Sequence, residues 1–333
     1  MPHKHPGPGP PCVFSSQPKH LRVRHSHWCD FEPGKRLPMS SSLGKLVAGV
    51  MSVEGLPVAL FQDPAPDPAW RAQNSAEAIP SHGFNLNALL FLAAGPGPHP
   101  TVLLLHGLPG NEQNLDLAQS VRRAGWNVLT LHYRGSWGTP GSFSFANCLE
   151  DAAAALAWLR SAGASRDRRI DVRRLVVVGH SMGGFVAAYL ASSDPEVRAA
   201  CLLSGVDLGS AFGSPFRTVG VAAVDDNVGF SDGLHILSGT SAAALAAEAA
   251  HRASSWRLAS LAAKLADRPL LLVTSDDGFA ASSDALGQAV KALGSDKLSR
   301  AHFATDHSYS DQRIALQIEV LNWLAGATSS PSW

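Results

Sequence analysis

The sequence predicts an α/β fold: a mostly parallel central sheet flanked by helices, with a small lid inserted late in the chain. Three observations predict it. Apolar runs of strand length, at residues 101–105, 127–131, 175–178, 199–203 and 270–274, alternate with stretches of helical period. These runs carry few polar residues, as strands do when both faces are covered by helices. The polar motifs follow the runs directly, at the carboxyl ends of the strands, where sheets of this kind bind ligands.

Composition bounds the reading. The chain has 333 residues, 45% hydrophobic and 16% charged, enough for one large domain. Lys plus Arg and Asp plus Glu stand at 27 each, so no basic face is advertised and neither nucleic acid nor an anionic membrane is an expected partner. No apolar run reaches the ~18 residues of a membrane span. Cys12, Cys29, Cys148 and Cys201 form no C-x-x-C pair. Cys148 and Cys201 fall in a predicted helix and strand and are expected as buried thiols.

Residues 1–78 are expected to be an arm and linker, partly disordered. Residues 1–42 are rich in Pro, Gly and His and show neither helix nor strand period. Without a rigid scaffold, His3, His5, His20, His25 and His27 are not expected to hold a metal. Met39 is a candidate natural start. Residues 43–61 are mildly apolar with Lys45 near their start, but Glu54 and Pro57 interrupt them, so a secretory signal is weak. The expected compartment is the cytoplasm, with secretion or a periplasmic location as the alternative.

The folded domain is expected over 79–328. Residues 84–93 read as one long strand or a strand pair, and 95–100 as a Gly/Pro turn. Strand 101–105 leads into His106, Gly107, Leu108, Pro109 and Gly110. A helix follows at 113–124, then strand 127–131, which ends in His132, Tyr133, Arg134 and Gly135. Residues 145–160 are a strong helix, and strands 270–274 and 300–303 precede a closing helix at 311–325. Roughly sixty residues separate 203 from 270, too many for a simple crossover, and 205–268 is read as a lid over the carboxyl edge, with a helical stretch at 242–265.

Gly179, His180, Ser181, Met182 and Gly183 form G-x-S-x-G between strand 175–178 and an alanine-rich helix pattern. Such a turn lifts a serine hydroxyl above the strand end, and glycines are needed where flanking side chains would collide. The helix beginning at Met182 aims free N–H groups at the place where an oxyanion would form. A serine needs a base to take its proton and an acid to orient that base. His307 is the candidate base, because it follows the last strand and precedes the last helix. His302 is expected to point sideways into a helix layer, and His180 to shape the turn. The acid is Asp276 or Asp277, just past strand 270–274; counting from the strand end favours Asp277, with Asp284 and Asp306 more distant candidates. The oxyanion donors are expected to be the Met182 and Leu108 N–H groups, since Pro109 has none. Arg134 is expected to pair with Glu150 or Asp151 rather than with substrate. Trp137 and Phe143 line a pocket or pack against the lid.

Over about residues 80–326 the chain resembles the α/β-hydrolases. The resemblance rests on His106-Gly107, Tyr133-Arg134-Gly135, Gly179 to Gly184, the aspartate pair and His307. It implies a Ser181–Asp277–His307 triad with Leu108 and Met182 as oxyanion donors. It is similar to bacterial esterases and to the catalytic domains of prolyl-oligopeptidase-like peptidases. Many members carry a glycine, two variable residues and then aspartate; that spacing here lands on Gly278, so the choice between the two aspartates stays open. The expected activity is hydrolysis of short to medium carboxylic esters, with a small-molecule substrate and no metal or organic cofactor. The chain holds no propeller of the oligopeptidase kind and no clear acidic pair for a peptide amino terminus, so a peptidase or amidase is the alternative. A non-catalytic binding protein on this fold is the second. Oligomeric state is open.

Overall fold

The computed structural model describes residues 56–211 and 233–327. Its centre is a sheet of eight strands: β1 Gln73–Ser81, β2 Phe84–Leu92, β3 His99–Leu105, β4 Asn127–Leu131, β5 Ile170–His180, β6 Ala199–Leu203, β7 Leu270–Ser275 and β8 Leu298–Phe303. They lie in the order β1-β2-β4-β3-β5-β6-β7-β8. The β1–β2 and β2–β4 pairs are antiparallel, and every other pair is parallel. The helices are α1 Leu115–Arg123, α2 Phe145–Arg160, α3 Ala162–Asp167, α4 Met182–Ser193, α5 Leu208–Ala211, α6 Ala242–His251, α7 Ala262–Leu265, α8 Ala280–Ala292 and α9 Arg313–Ala327.

The unbroken apolar strands have a direct cause. Successive strand side chains point to opposite faces, and here each face meets its own helix layer. Leu175 and Val177 of β5 pack with Leu156 of α2, Phe185 of α4 and Leu286 of α8. Val176 and Val178 pack on the other side with Leu117 of α1 and Leu316 and Val320 of α9. Cys148 and Cys201 are buried free thiols.

The sheet starts earlier than the sequence led us to expect. β1 begins at Gln73, inside the stretch read as linker and ahead of the boundary at 79. Its partly buried face carries Ser75 and Glu77 before reaching Ile79, so it lacks an apolar alternation. Arg168 neutralises Glu77 with a 2.6 Å Nε–H donation. β1 is an edge strand, where polar residues and Pro80 are tolerated. Ahead of it a single turn, Val58–Leu60, buries Ala59 against the α1 side of the core. Helix α8 was also not anticipated; its buried stripe of Ser283, Leu286, Gly287 and Val290 has helical spacing but little apolar bulk.

The long insertion is described on both sides of 212–232, which lies outside the described residues and takes in the middle of the expected lid. The helical stretch expected at 242–265 is broken in two, because the chain turns so that Trp256 enters the core against Phe145 and Phe185, with ring centroids 6.1 and 6.3 Å away. Leu237 bridges to Ser136, the Ser238 N–H donates to Gly135 O at 2.7 Å, and the Phe143 N–H donates to Ser238 O at 2.9 Å. Glu248 of α6 accepts the Phe145 and Ala146 N–H groups at the start of α2, both at 2.9 Å. A carboxylate there satisfies two orphan donors and faces the positive end of the helix dipole. Glu248→Ala is expected to lower unfolding free energy by roughly 1–2 kcal/mol, read from the urea midpoint; an unchanged midpoint would contradict this docking role.

Candidate active site

The site is built on the turn between β5 and α4. Ser181 holds φ 57° and ψ −121°, a left-handed backbone that a non-glycine residue rarely adopts. Close packing keeps it there. A Cβ on Gly179 would lie 1.9 Å from Gly183 O, and one on Gly183 would lie 2.3 Å from Leu105 O. The Ser181 N–H donates to Leu203 O at 2.9 Å, which ties the turn to the end of β6.

The loop after β3 closes on the same serine. A Cβ on Gly107 would meet Ser181 Cβ at 2.8 Å, so the backbone of this loop runs hard against Ser181. Among the described residues, neither the Leu108 nor the Met182 N–H has a hydrogen-bond partner. The loop is braced from behind. His106 Nδ1–H donates to Gly107 O at 2.7 Å, Tyr133 OH donates to His106 O at 3.3 Å, and Trp137 Nε1–H donates to Pro109 O at 2.9 Å. Burial pushes the His106 imidazole down to about 4, which leaves it neutral.

His307 stands in the loop between β8 and α9, with Nδ1 2.6 Å from Asp277 Oδ2. Burial pushes the Asp277 carboxyl up, but hydrogen bonds from His307, from the Ser204 hydroxyl and from the Phe279 N–H outweigh it and hold the group at about 2. The Phe279 N–H donates to Asp277 Oδ1 at 2.8 Å. An ionised carboxylate only accepts, so His307 Nδ1 carries the proton of that bond. His180 Nε2–H donates to His307 O at 2.7 Å, and the two rings lie 4.7 Å apart. Among the described residues the Ser181 hydroxyl makes no hydrogen bond to His307; such bonds are often long before a ligand is in place.

The remaining acids are engaged elsewhere. Asp276 Oδ1 is 3.1 Å from His302 Nε2, Asp284 pairs with Arg300, and Asp306 accepts the Ser308 and Ser310 N–H groups within its own loop. Only Asp277 of these four meets His307. His302 is half exposed on the edge strand β8 and faces solvent, not a helix layer as expected. Arg134 is committed to structure: its Nε–H and N–H donate to Asp151 at 2.7 and 2.8 Å, and it also pairs with Glu150. Phe143 is buried against Phe145, so it belongs to the core, while Trp137 stays partly exposed.

Three site residues carried no motif. The Phe279 ring lies 5.3 Å from that of His307. Tyr309, fully buried, places its hydroxyl 2.9 Å from Ser204 Oγ and donates to Val273 O at 3.2 Å. Arg313 donates to Ser308 O at 2.8 Å and to Asn114 Oδ1 at 3.0 Å, and pairs with Asp116, so it joins the histidine loop to the chain after β3.

Residues 100–288, more than half of the chain, match the family model of the alpha/beta hydrolase fold, and the chain belongs to that family. It is 34% identical over 125 residues to the alpha/beta hydrolase domain-containing protein WAV2 of Arabidopsis thaliana, a match that spans 37% of this chain and 39% of that protein. Among solved structures it is similar to the thermostable carboxylesterase EstE1 from a metagenomic library, at 21% identity and a TM-score of 0.58, over 82% of this chain and 93% of that one. It is also similar to puromycin hydrolase, at 18% identity and a TM-score of 0.55, over 79% of this chain and 40% of that one. These structural likenesses establish the fold, and the family supports a hydrolase. No helix among the described residues is long and apolar enough to cross a membrane.

Asp277 makes a pH test available. Its folded value is depressed from 3.8 to about 2, so its stabilisation is present above about pH 4 and lost as pH falls through about 2. The difference corresponds to about 2 kcal/mol. Asp277→Asn is expected to be less stable than wild type by that order at pH 6, with the gap closing between pH 4 and pH 2. A gap of constant size in urea titrations across that range would contradict it.

Proposed function

We propose that the chain is a serine hydrolase that cleaves short to medium carboxylic esters through an acyl-enzyme. The observation that carries this reading is the 2.6 Å bond from His307 Nδ1 to a buried, ionised Asp277, on a loop anchored to the residue beside Ser181. In this reading Ser181 Oγ attacks the ester carbonyl as His307 Nε2 takes its proton. The Leu108 and Met182 N–H groups receive the oxyanion. The imidazolium gives its proton to the departing alcohol. Water, deprotonated by the same nitrogen, then releases the acid and restores Ser181. Asp277 offsets the imidazolium charge without itself taking the proton. The cycle calls for no metal or organic cofactor.

Amide substrates are the second reading, favoured by the likeness to puromycin hydrolase. An enzyme that trims peptides from a free amino terminus needs spare carboxylates to hold the substrate ammonium. Among the described residues the acids on the rim loops are engaged: Glu112 and Asp116 with Arg313, Asp276 with His302, and Asp306 with its own loop. That supports esters. p-Nitrophenyl acetate and butyrate are expected to be hydrolysed and aminoacyl p-nitroanilides to be poor substrates. Ser181→Ala is expected to lower ester turnover by about 10⁴-fold or more. Turnover of the anilides alone would replace the esterase reading with the amidase one, and full ester activity in Ser181→Ala would remove both.

A further inference from the structure

His180 touches both halves of the site and has no part in the proposed chemistry. Its backbone is the last residue of β5, and Ser181 follows it directly. Its side chain reaches across to the loop of His307, 127 residues later, and donates Nε2–H to that residue's own carbonyl at 2.7 Å. We propose that His180 is a positioning residue, a side-chain strut that sets the spacing between the serine turn and the base loop. The inference rests on the serine-hydrolase reading above and assigns the work of keeping its two reacting groups in register.

The need for a strut follows from the topology. Ser181 rises from the end of β5 and His307 follows β8, with β6 and β7 between them. β8 is an edge strand, with a neighbouring strand on one side only. Asp277 grips the His307 ring, and Arg313 grips Ser308 O from the side of α1. Neither bond reaches the turn that carries the serine. Among the described residues, the His180 bond is the direct hydrogen bond from that turn to the base residue.

The chemistry of the ring suits the task. The carbonyl can only accept, so the proton sits on Nε2 and Nδ1 is bare. His180 Nδ1 has no partner among the described residues. Burial, and then the neighbouring His307, hold the imidazole down to about 3, so the ring stays neutral. A neutral donor is what the place requires. A second cation 4.7 Å from His307 would oppose the imidazolium formed during proton transfer. The edge of Tyr309, 6.5 Å away, helps to fix the ring plane.

Three variants separate a strut from a core filler. His180→Gln carries an amide N–H to about the place of Nε2. His180→Asn ends its amide near Nδ1, too short to reach the carbonyl. His180→Phe fills the volume without a donor. Each is measured for kcat and KM on p-nitrophenyl butyrate, for Tm, and for the low-field proton NMR signal of His307 Nδ1–H. His180→Gln is expected to keep kcat within about threefold of wild type and to keep the signal. His180→Asn and His180→Phe are expected to lose kcat by roughly 10- to 100-fold with KM little changed, since small misplacements of reacting groups have costs of that order. Wild-type kcat in His180→Phe, or a loss in His180→Gln as deep as in His180→Asn, would overturn the proposal. If the wild-type protein hydrolyses no ester, the esterase reading fails separately and the NMR signal decides this one. A signal kept in His180→Gln and exchanged away in His180→Asn supports the strut, and the same signal in both overturns it.

Discussion

The structure depends on one close approach of backbone to backbone. Between β5 and α4 the chain reverses so tightly that Gly179 and Gly183 are almost in contact, and Gly183 also presses on the end of β3. Any Cβ at either glycine would sit well inside normal contact distance. This packing forces Ser181 into its left-handed backbone and starts α4 at the next residue. The strain is local, and the surrounding apolar core over-determines it. β5 lies inside the sheet between β3 and β6, sandwiched between helix layers.

Once the turn is fixed, the other parts meet it from separate loops, each with its own brace. The loop after β3 is held by His106, Tyr133 and Trp137, and the loop after β8 by Asp277, Arg313 and His180. Burial and hydrogen bonding divide the titratable groups around the turn. His106 and His180 are driven neutral, while Asp277 is held ionised by its donors against the cost of burial. The site therefore concentrates one fixed negative charge behind one imidazole.

Much of this was legible in the residues. The strands with helices on both faces declared themselves by continuous apolar runs, and the turn by its pentapeptide in the right context. The two aspartates were not separable by spacing. What separates them is that Asp277 turns inward beneath His307, while Asp276 turns out to a solvent-facing His302. β1 was missed because an edge strand is half solvated and needs no apolar alternation. Helix α8 was missed because its buried stripe is small, with Ser283 and Gly287 among its members. Tyr309 and Arg313 gave no signal, since their roles are set by partners, Ser204 and Asn114, that lie far off in sequence. The sharp break at Trp256 was hidden by the alanine-rich helical pattern on either side of it.

The central claim is that one hydroxyl, Ser181 Oγ, becomes acylated. Rapid mixing with a p-nitrophenyl ester followed by acid quench and peptide mass mapping reads this directly. The account predicts that the acyl group trapped on the protein sits on the peptide containing Ser181 and is absent from Ser181→Ala. An acyl group on another residue, or ester turnover undiminished in Ser181→Ala, would contradict it.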